Sequence, residues 1–326
     1  VEPLKRAIPL LFLLLALFWV FHPTLLGVLS GEGFARMQTD PGDTLFLNTI
    51  LEHSWLWVSG KAQTFYHASF FFPAPMTAMY GDVLLGVLPP YGALRLFGAS
   101  PLAAMQGWMV SMVVINFSLG YGWLKTLLRT EEHQELHPIA LSIGAFLLTA
   151  SGARIAQLCH QQLFTLAYTL AAFWILTHLL QAEKRRPVLA ALFPIVCVLQ
   201  LYSGYYLFWY LTWMLLLAGS ISLFIRTARH TLLATLRRNM LPLGLGVLVA
   251  LILLYPVAGG YYQVARQVGI RSWEEAKWSV PSLQSWFYLG KDSWLYFWQP
   301  SVKLWGVLSQ EHEQRIGLGF FTLAGV

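Results

Sequence analysis

The chain has 326 residues, of which 57% are hydrophobic and only 11% charged, well under the roughly 25% charged of an average soluble domain. Aromatic residues make up 15%, and rings with a polar tip gather where hydrocarbon meets headgroup. The net charge of +6 does not mark a nucleic-acid binder, because the basic residues are scattered and no basic run is interleaved with stacking aromatics. This excludes an ordinary soluble globular protein and predicts an all-α polytopic membrane protein.

Seven apolar runs are candidates to cross a hydrocarbon core of about 30 Å, which takes about 20 residues: Ile8 to Leu29, Met105 to Leu128, Pro138 to Ala153, His160 to Ala182, Val188 to Tyr202, Tyr205 to Ile225 and Leu241 to Ala258. An eighth begins near Gly317. The chain starts at Val1 and stops inside that apolar run, so a truncated C-terminal part is expected. Residues 1–29 then form the first membrane helix, 30–104 a large outer loop, 105–258 helices two to seven, 259–316 a second outer segment, and 317–326 the start of an eighth helix. The first run exceeds a secretory h-region and lacks a small-residue exit, which favours a retained helix.

Basic residues in short loops prefer the cytoplasm. With Lys5 and Arg6 inside, the other inner segments hold Lys125 and Arg129, then Lys184, Arg185 and Arg186, then Arg226, Arg229, Arg237 and Arg238. They account for eleven of the 21 basic residues. The expected orientation therefore has a cytoplasmic N-terminus, with both long loops on the outer face of the inner membrane.

The outer loop carries candidate carboxylates. Asp40 and Asp43 flank a Pro-Gly turn ahead of an apolar helical stretch, Leu45 to Val58, expected to lie on the outer leaflet. Either aspartate could act as general base or metal ligand, or simply start the turn and cap the helix. Asp82, ahead of the apolar run Val83 to Phe97, is equally a cap candidate. Pro138 to Ala153 and Val188 to Tyr202 would rise only about 22 to 24 Å as helices. Their short outer ends predict a polar recess where Arg154, His160, Gln161, Gln162, Ser203, Gly204, Tyr205 and Tyr206 meet the surface. Arg154 must snorkel or find an anion. His160 could hold a phosphate or merely bond backbone. Tyr205 and Tyr206 are ligands or belt aromatics. Cys159 and Cys197 fit packed thiols, with neither zinc spacing nor a disulfide framework. No phosphate loop, dinucleotide fingerprint, zincin motif or serine elbow is present, so no nucleotide cofactor is expected.

Taken together, "DPGDTLFLNTILEHSW", "FFFPAPMTAMYGDVLLGVLPP", "ARIAQLCHQQLFTLAY", "LQLYSGYYLFWY", "GIRSWEEAKWSVPSLQSWFYLG" and "QEHEQRIGLGFFTLAG" resemble bacterial membrane glycosyltransferases of the GT-C superfamily, in particular the YfhO-like and related branch. The resemblance implies a seven-helix module with a large first outer loop. It also implies sugar transfer from a polyprenyl-phosphate donor to a lipid, polymer or protein acceptor on the outer face, with a divalent cation (Mg or Mn) as an optional cofactor. By that resemblance Asp43 matches the first-loop base or metal ligand and Asp82 the second acidic position. His160 and Gln161 match a histidine-glutamine element, and Arg271 and Glu313 an arginine and glutamate of the second outer segment. Asp40 and Asp43 are not the adjacent acidic pair of many members, which leaves open which aspartate acts. A transporter or flippase for a lipid-linked glycan, or a non-catalytic assembly protein, are the alternatives. No inverted repeat supports a transporter.

Overall fold

A computed structural model describes residues 2–38, 41–129, 136–269, 272–291, 293, 296–306, 308 and 310–319. Among them there is no strand. The helices are α1 (Glu2–Leu29), α2 (Pro41–Val58), α3 (Leu88–Leu96), α4 (Pro101–Leu127), α5 (Pro138–Ala150), α6 (Gly152–Ala156), α7 (Ala167–Gln181), α8 (Pro187–Leu201), α9 (Tyr205–Phe224), α10 (Arg226–Val268) and α11 (Trp273–Ala276), joined by short 3-10 turns.

Among the described residues six helical segments are long and apolar enough to cross a membrane: Ala7–Leu29, Pro101–Leu127, Pro138–Ala156, Gln161–Gln181, Tyr205–Phe224 and Arg226–Val268. The seventh expected span is α8, which is apolar but has only 15 residues. A straight helix of that length rises about 22 Å. The other short span also stops early: α5 ends at Ala150, and Ser151 turns extended (φ −60°, ψ 162°) before the brief α6. Residues 157–166 follow as irregular backbone and the 3-10 turn Gln161–Phe164. The helix expected from His160 therefore begins only at Ala167.

Three boundaries depart from expectation for identifiable reasons. Pro41 is inside α2, so the Asp-Pro-Gly-Asp sequence is the first turn of a helix. Proline suits the first helical position because its missing N–H would have had no partner there. Asp43 is therefore an N3 residue, not the cap. Second, α2 buries Thr44, Leu47, Asn48, Ile50, Leu51 and Ser54, so one face belongs to the protein core instead of lying freely on a leaflet. Third, the basic segment after α9 is helical. The 43-residue α10 joins it to the last span across a bend at Asn239 (φ −117°, ψ 18°). Pro242 accounts for the bend, since a proline ring pushes against the carbonyl four residues earlier. Asn239 Oδ1 accepts from the Arg186 backbone N–H, and its Nδ2 donates to Thr235 O. α10 also runs ten residues past Ala258, so residues 259–268 belong to it and not to the second outer segment. Gly260 lets this part of α10 pack closely on Met79: a Cβ there would sit 2.5 Å from Met79 Sδ.

Hydrogen bonds define the two ends of the bundle. At one end Trp123 Nε1 donates to Thr177 Oγ1 and Trp174 Nε1 to Thr126 Oγ1, and Arg238 donates to Ala182 O. At the other end Gly86 N–H donates to Tyr202 O, Tyr66 OH to Pro256 O and Tyr202 OH to Leu253 O. The core at this second end gathers Val20, Leu51, Leu84, Tyr91, Met105, Trp108, Met109 and Phe164. Trp108 carries its indole N–H to Val87 O at 2.8 Å, as a buried tryptophan requires.

The loop before α4 is anchored by ions. Arg95 donates from Nε and Nη2 to the two oxygens of Glu52 at 2.9 and 2.8 Å, and Tyr91 OH donates to Glu52 Oε2 at 2.6 Å. Planar pairing of this kind is geometrically specific. Glu52→Ala is expected to cost about 1.5–3 kcal/mol, the usual worth of hydrogen bonds to a charged group. In detergent its melting temperature should fall well below wild type. Removing Glu32, paired across one exposed helical turn with Arg36 at 3.5 Å, should leave it unchanged within error.

Candidate functional site

A cavity of about 760 Å³ opens among the ends of α1, α2 and α6 and the second long segment. From α1 come Trp19, His22 and Pro23. Pro23 deprives the Trp19 carbonyl of its helical N–H partner, and His22 Nδ1 replaces it at 3.0 Å, which fixes the tautomer with the proton on Nδ1. Gln38, Gly42 and Asp43 enter from the start of α2, Gly152, Ile155, Ala156, Cys159 and His160 from the irregular stretch after α5, and Leu289, Ser293, His312, Glu313 and Arg315 from the second segment. Of the residues expected to form a recess at the two short outer ends, His160 alone is among the described residues that line this cavity, which is walled on that side by the segment following the early end of α5.

At its centre three residues from three remote segments meet. His160 Nε2 lies 3.2 Å from Asp43 Oδ2 and 3.9 Å from Glu313 Oε1. On the other side of the ring, Nδ1 lies 3.1 Å from Gln157 Oε1 and 3.4 Å from Cys159 Sγ. A ring nitrogen facing an acceptor must carry a proton, and both nitrogens face acceptors, so His160 is an imidazolium. The hydrogen bond with Cys159, working against burial and joined by the charges of Glu313 and Asp43, raises its pKa to about 9.

Among the described residues no group of three or more His, Cys, Asp or Glu side chains is placed to hold an ion. The position between the two carboxylates already belongs to a cation, the imidazolium.

The remaining predicted residues divide. Gln161 is fully buried beneath the cavity and donates to Gln38 Oε1 at 3.3 Å. Gln38 in turn donates to Thr24 Oγ1 and Gln106 Oε1. Gln161 therefore reaches the cavity only through Gln38. Arg154 does not point there. It donates to the Leu163 and Phe164 carbonyls at 2.8 and 3.0 Å, with its guanidinium 4.9 Å over the Phe164 ring. The anion it was expected to seek is replaced by two carbonyls of the irregular turn. Arg154→Ala should loosen residues 157–166, seen as faster amide exchange there; Arg154→Lys should rescue little, because a point ammonium does not reproduce a planar fork.

Asp82 is also elsewhere. It is 7% exposed and accepts from the Tyr205 backbone N–H at 2.5 Å, capping the start of α9 from a distant loop. Burial pushes its carboxyl up, opposed by that bond. Tyr205 stacks edge-on against Tyr206 and Tyr261, and neither Tyr205 nor Tyr206 lines the cavity. Asp40 and Arg271 lie outside the described residues.

Arg315, His22, Gln38 and Cys159 line the cavity without having been singled out for it. Arg315 donates from Nε and Nη2 to Glu311 at 2.9 and 2.6 Å, and Tyr288 OH donates to the same carboxylate at 2.6 Å. Burial opposes ionisation of Glu311, but the bonds from Arg315 and Tyr288 outweigh it and hold the carboxyl below its usual range. Gly290 (φ +91°) is required beside it, since a Cβ would lie 2.5 Å from Arg315 Nε. The signals in the sequence were a histidine directly before a proline in an apolar helix, and an arginine four residues after a glutamate. Both of the chain's cysteines are free and half-buried.

Compared with protein-family models, with curated proteins and with solved structures, the chain matches none of them.

Proposed function

We propose that this chain is a membrane glycosyltransferase that moves a sugar from a polyprenyl-phosphate donor to a hydroxyl of a lipid, polymer or protein acceptor. The observation that carries the proposal is the convergence of Asp43, His160 and Glu313 at a single cavity among membrane-helix ends. Its volume of about 760 Å³ falls within the range of small-molecule sites, ample for a sugar and its phosphate. The basic loops at the opposite end of the bundle support a cytoplasmic N-terminus in the inner membrane and an outward-facing cavity.

The chemistry is a single displacement. Asp43 takes the proton from the acceptor hydroxyl as that oxygen bonds to the anomeric carbon; the bond from that carbon to the phosphate oxygen breaks, and the polyprenyl phosphate leaves with the electron pair. The configuration at the sugar inverts. In-line attack puts the leaving group on the far side of the carbon from the base. His160, which touches Asp43, therefore orients the base, and the phosphate falls to another cation. Arg315, held as a planar fork by Glu311, suits that task.

The test is incubation of the purified full-length protein with radiolabelled polyprenyl-phosphate sugars, with and without chelator. Transfer from at least one donor with inversion is the expected result. Failure of every donor to bind or react favours a glycan transporter or a scaffold.

A further inference from the structure

A second cavity lies at the opposite end of the bundle. It has a volume of about 570 Å³ and is lined by Lys125 and Arg129 at the end of α4, Trp174, His178 and Gln181 from α7, and Arg186 at the start of α8. Among the described residues that line it, none is acidic. Its walls are tied together: Trp174 Nε1 donates to Thr126 Oγ1 at 2.9 Å, Gln181 Nε2 to Thr126 O at 3.3 Å, and the Arg186 backbone N–H to Asn239 Oδ1 at 3.0 Å. The His178 ring stacks on Trp174.

We propose that this cavity holds the phosphate of an anionic lipid headgroup. Lys125, Arg129 and Arg186 border one small space, and Arg186 stands at the N-terminus of a 15-residue helix, whose dipole adds positive potential. The lipid source follows from position. Two of the helices that wall the cavity are long and apolar enough to cross a membrane and end here. Beside the cations in sequence stand exposed Leu127, Leu128 and Val188, apolar surface on which acyl chains can lie while the headgroup turns in. A soluble phosphate would use the cations and leave these side chains uncovered.

Native mass spectrometry of the full chain in neutral detergent tests this, with phosphatidylglycerol, phosphatidylcholine or millimolar inorganic phosphate added. Wild type should retain a phosphatidylglycerol and shed phosphatidylcholine. Each basic contact contributes about 1 kcal/mol, so Lys125→Gln/Arg129→Gln/Arg186→Gln should bind phosphatidylglycerol on the order of 100-fold more weakly. The control Arg226→Gln/Arg229→Gln/Arg237→Gln removes the same charge from exposed positions of α10 outside the cavity and should bind as wild type. Equal loss in both triple variants, equal retention of both lipids, or displacement of phosphatidylglycerol by inorganic phosphate each overturns the proposal. Should the triple variant fail to fold, Arg129→Gln alone, at an exposed position, is expected to weaken retention about fivefold; no change overturns the proposal equally.

Discussion

Asp43→Asn is expected to lower sugar transfer by about 10² to 10⁴-fold, the usual worth of a positioned general base, with expression and melting temperature close to wild type. The two halves of that prediction rest on different features. Loss of transfer follows because an amide accepts no proton from the acceptor hydroxyl. Preserved folding follows because the Asp43 side chain is 59% exposed and sits inside the first turn of α2, where Pro41 already starts the helix. Glu313→Gln separates the two carboxylates near His160: if Asp43 is the base, Glu313→Gln reduces transfer far less. Equal activity of Asp43→Asn and wild type would remove Asp43 from the mechanism.

The second large effect concerns His160 and pH. Its imidazolium lies 3.2 Å from the 59% exposed side chain of Asp43, and solvent screening limits such a pair to about 1 kcal/mol. Loss of that orientation in His160→Gln should therefore cost about fivefold in transfer. With a folded pKa raised to about 9 from the ordinary histidine value of 6.5, the protonated ring stabilises the fold fully below about pH 6.5. That contribution declines above it and is lost as the pH rises through about 9. The melting-temperature difference between wild type and His160→Gln should accordingly be greatest at mildly acidic pH and vanish on the alkaline side of 9. A difference that grew with pH would mean that the ring is neutral in the fold and the ion pair absent.

Periodicity and loop charge exposed the membrane helices well, because hydrocarbon length is a local constraint that each apolar run must meet alone. The shortness of Pro138 to Ala153 was legible for the same reason; of the residues expected to form a recess there, His160 alone lines the cavity among the described residues. What was illegible depended on partners remote in sequence. Asp82 is written like a local cap, yet the N–H it accepts from belongs to Tyr205, 123 residues away. Arg154 is written like an anion seeker, and carbonyls nine and ten residues on accept from its two Nη groups instead. The continuity of α10 was hidden because its polar first half and apolar second half look like a loop and a span, while helix geometry tolerates the change of face at Asn239. Asp-Pro-Gly-Asp was misjudged locally: proline and glycine signal a turn and, equally, the first turn of a helix.

The central claim is that a lipid-phosphate sugar occupies the cavity around Asp43, His160 and Glu313. Photocrosslinking with a polyprenyl-phosphate sugar carrying a diazirine on the sugar, followed by peptide mapping, tests it most directly. Labelling should fall on the α1 peptide with Trp19 and His22 or on the peptide from Gly152 to His160, and excess unlabelled donor should suppress it. Saturable labelling confined to other parts of the chain would contradict the account.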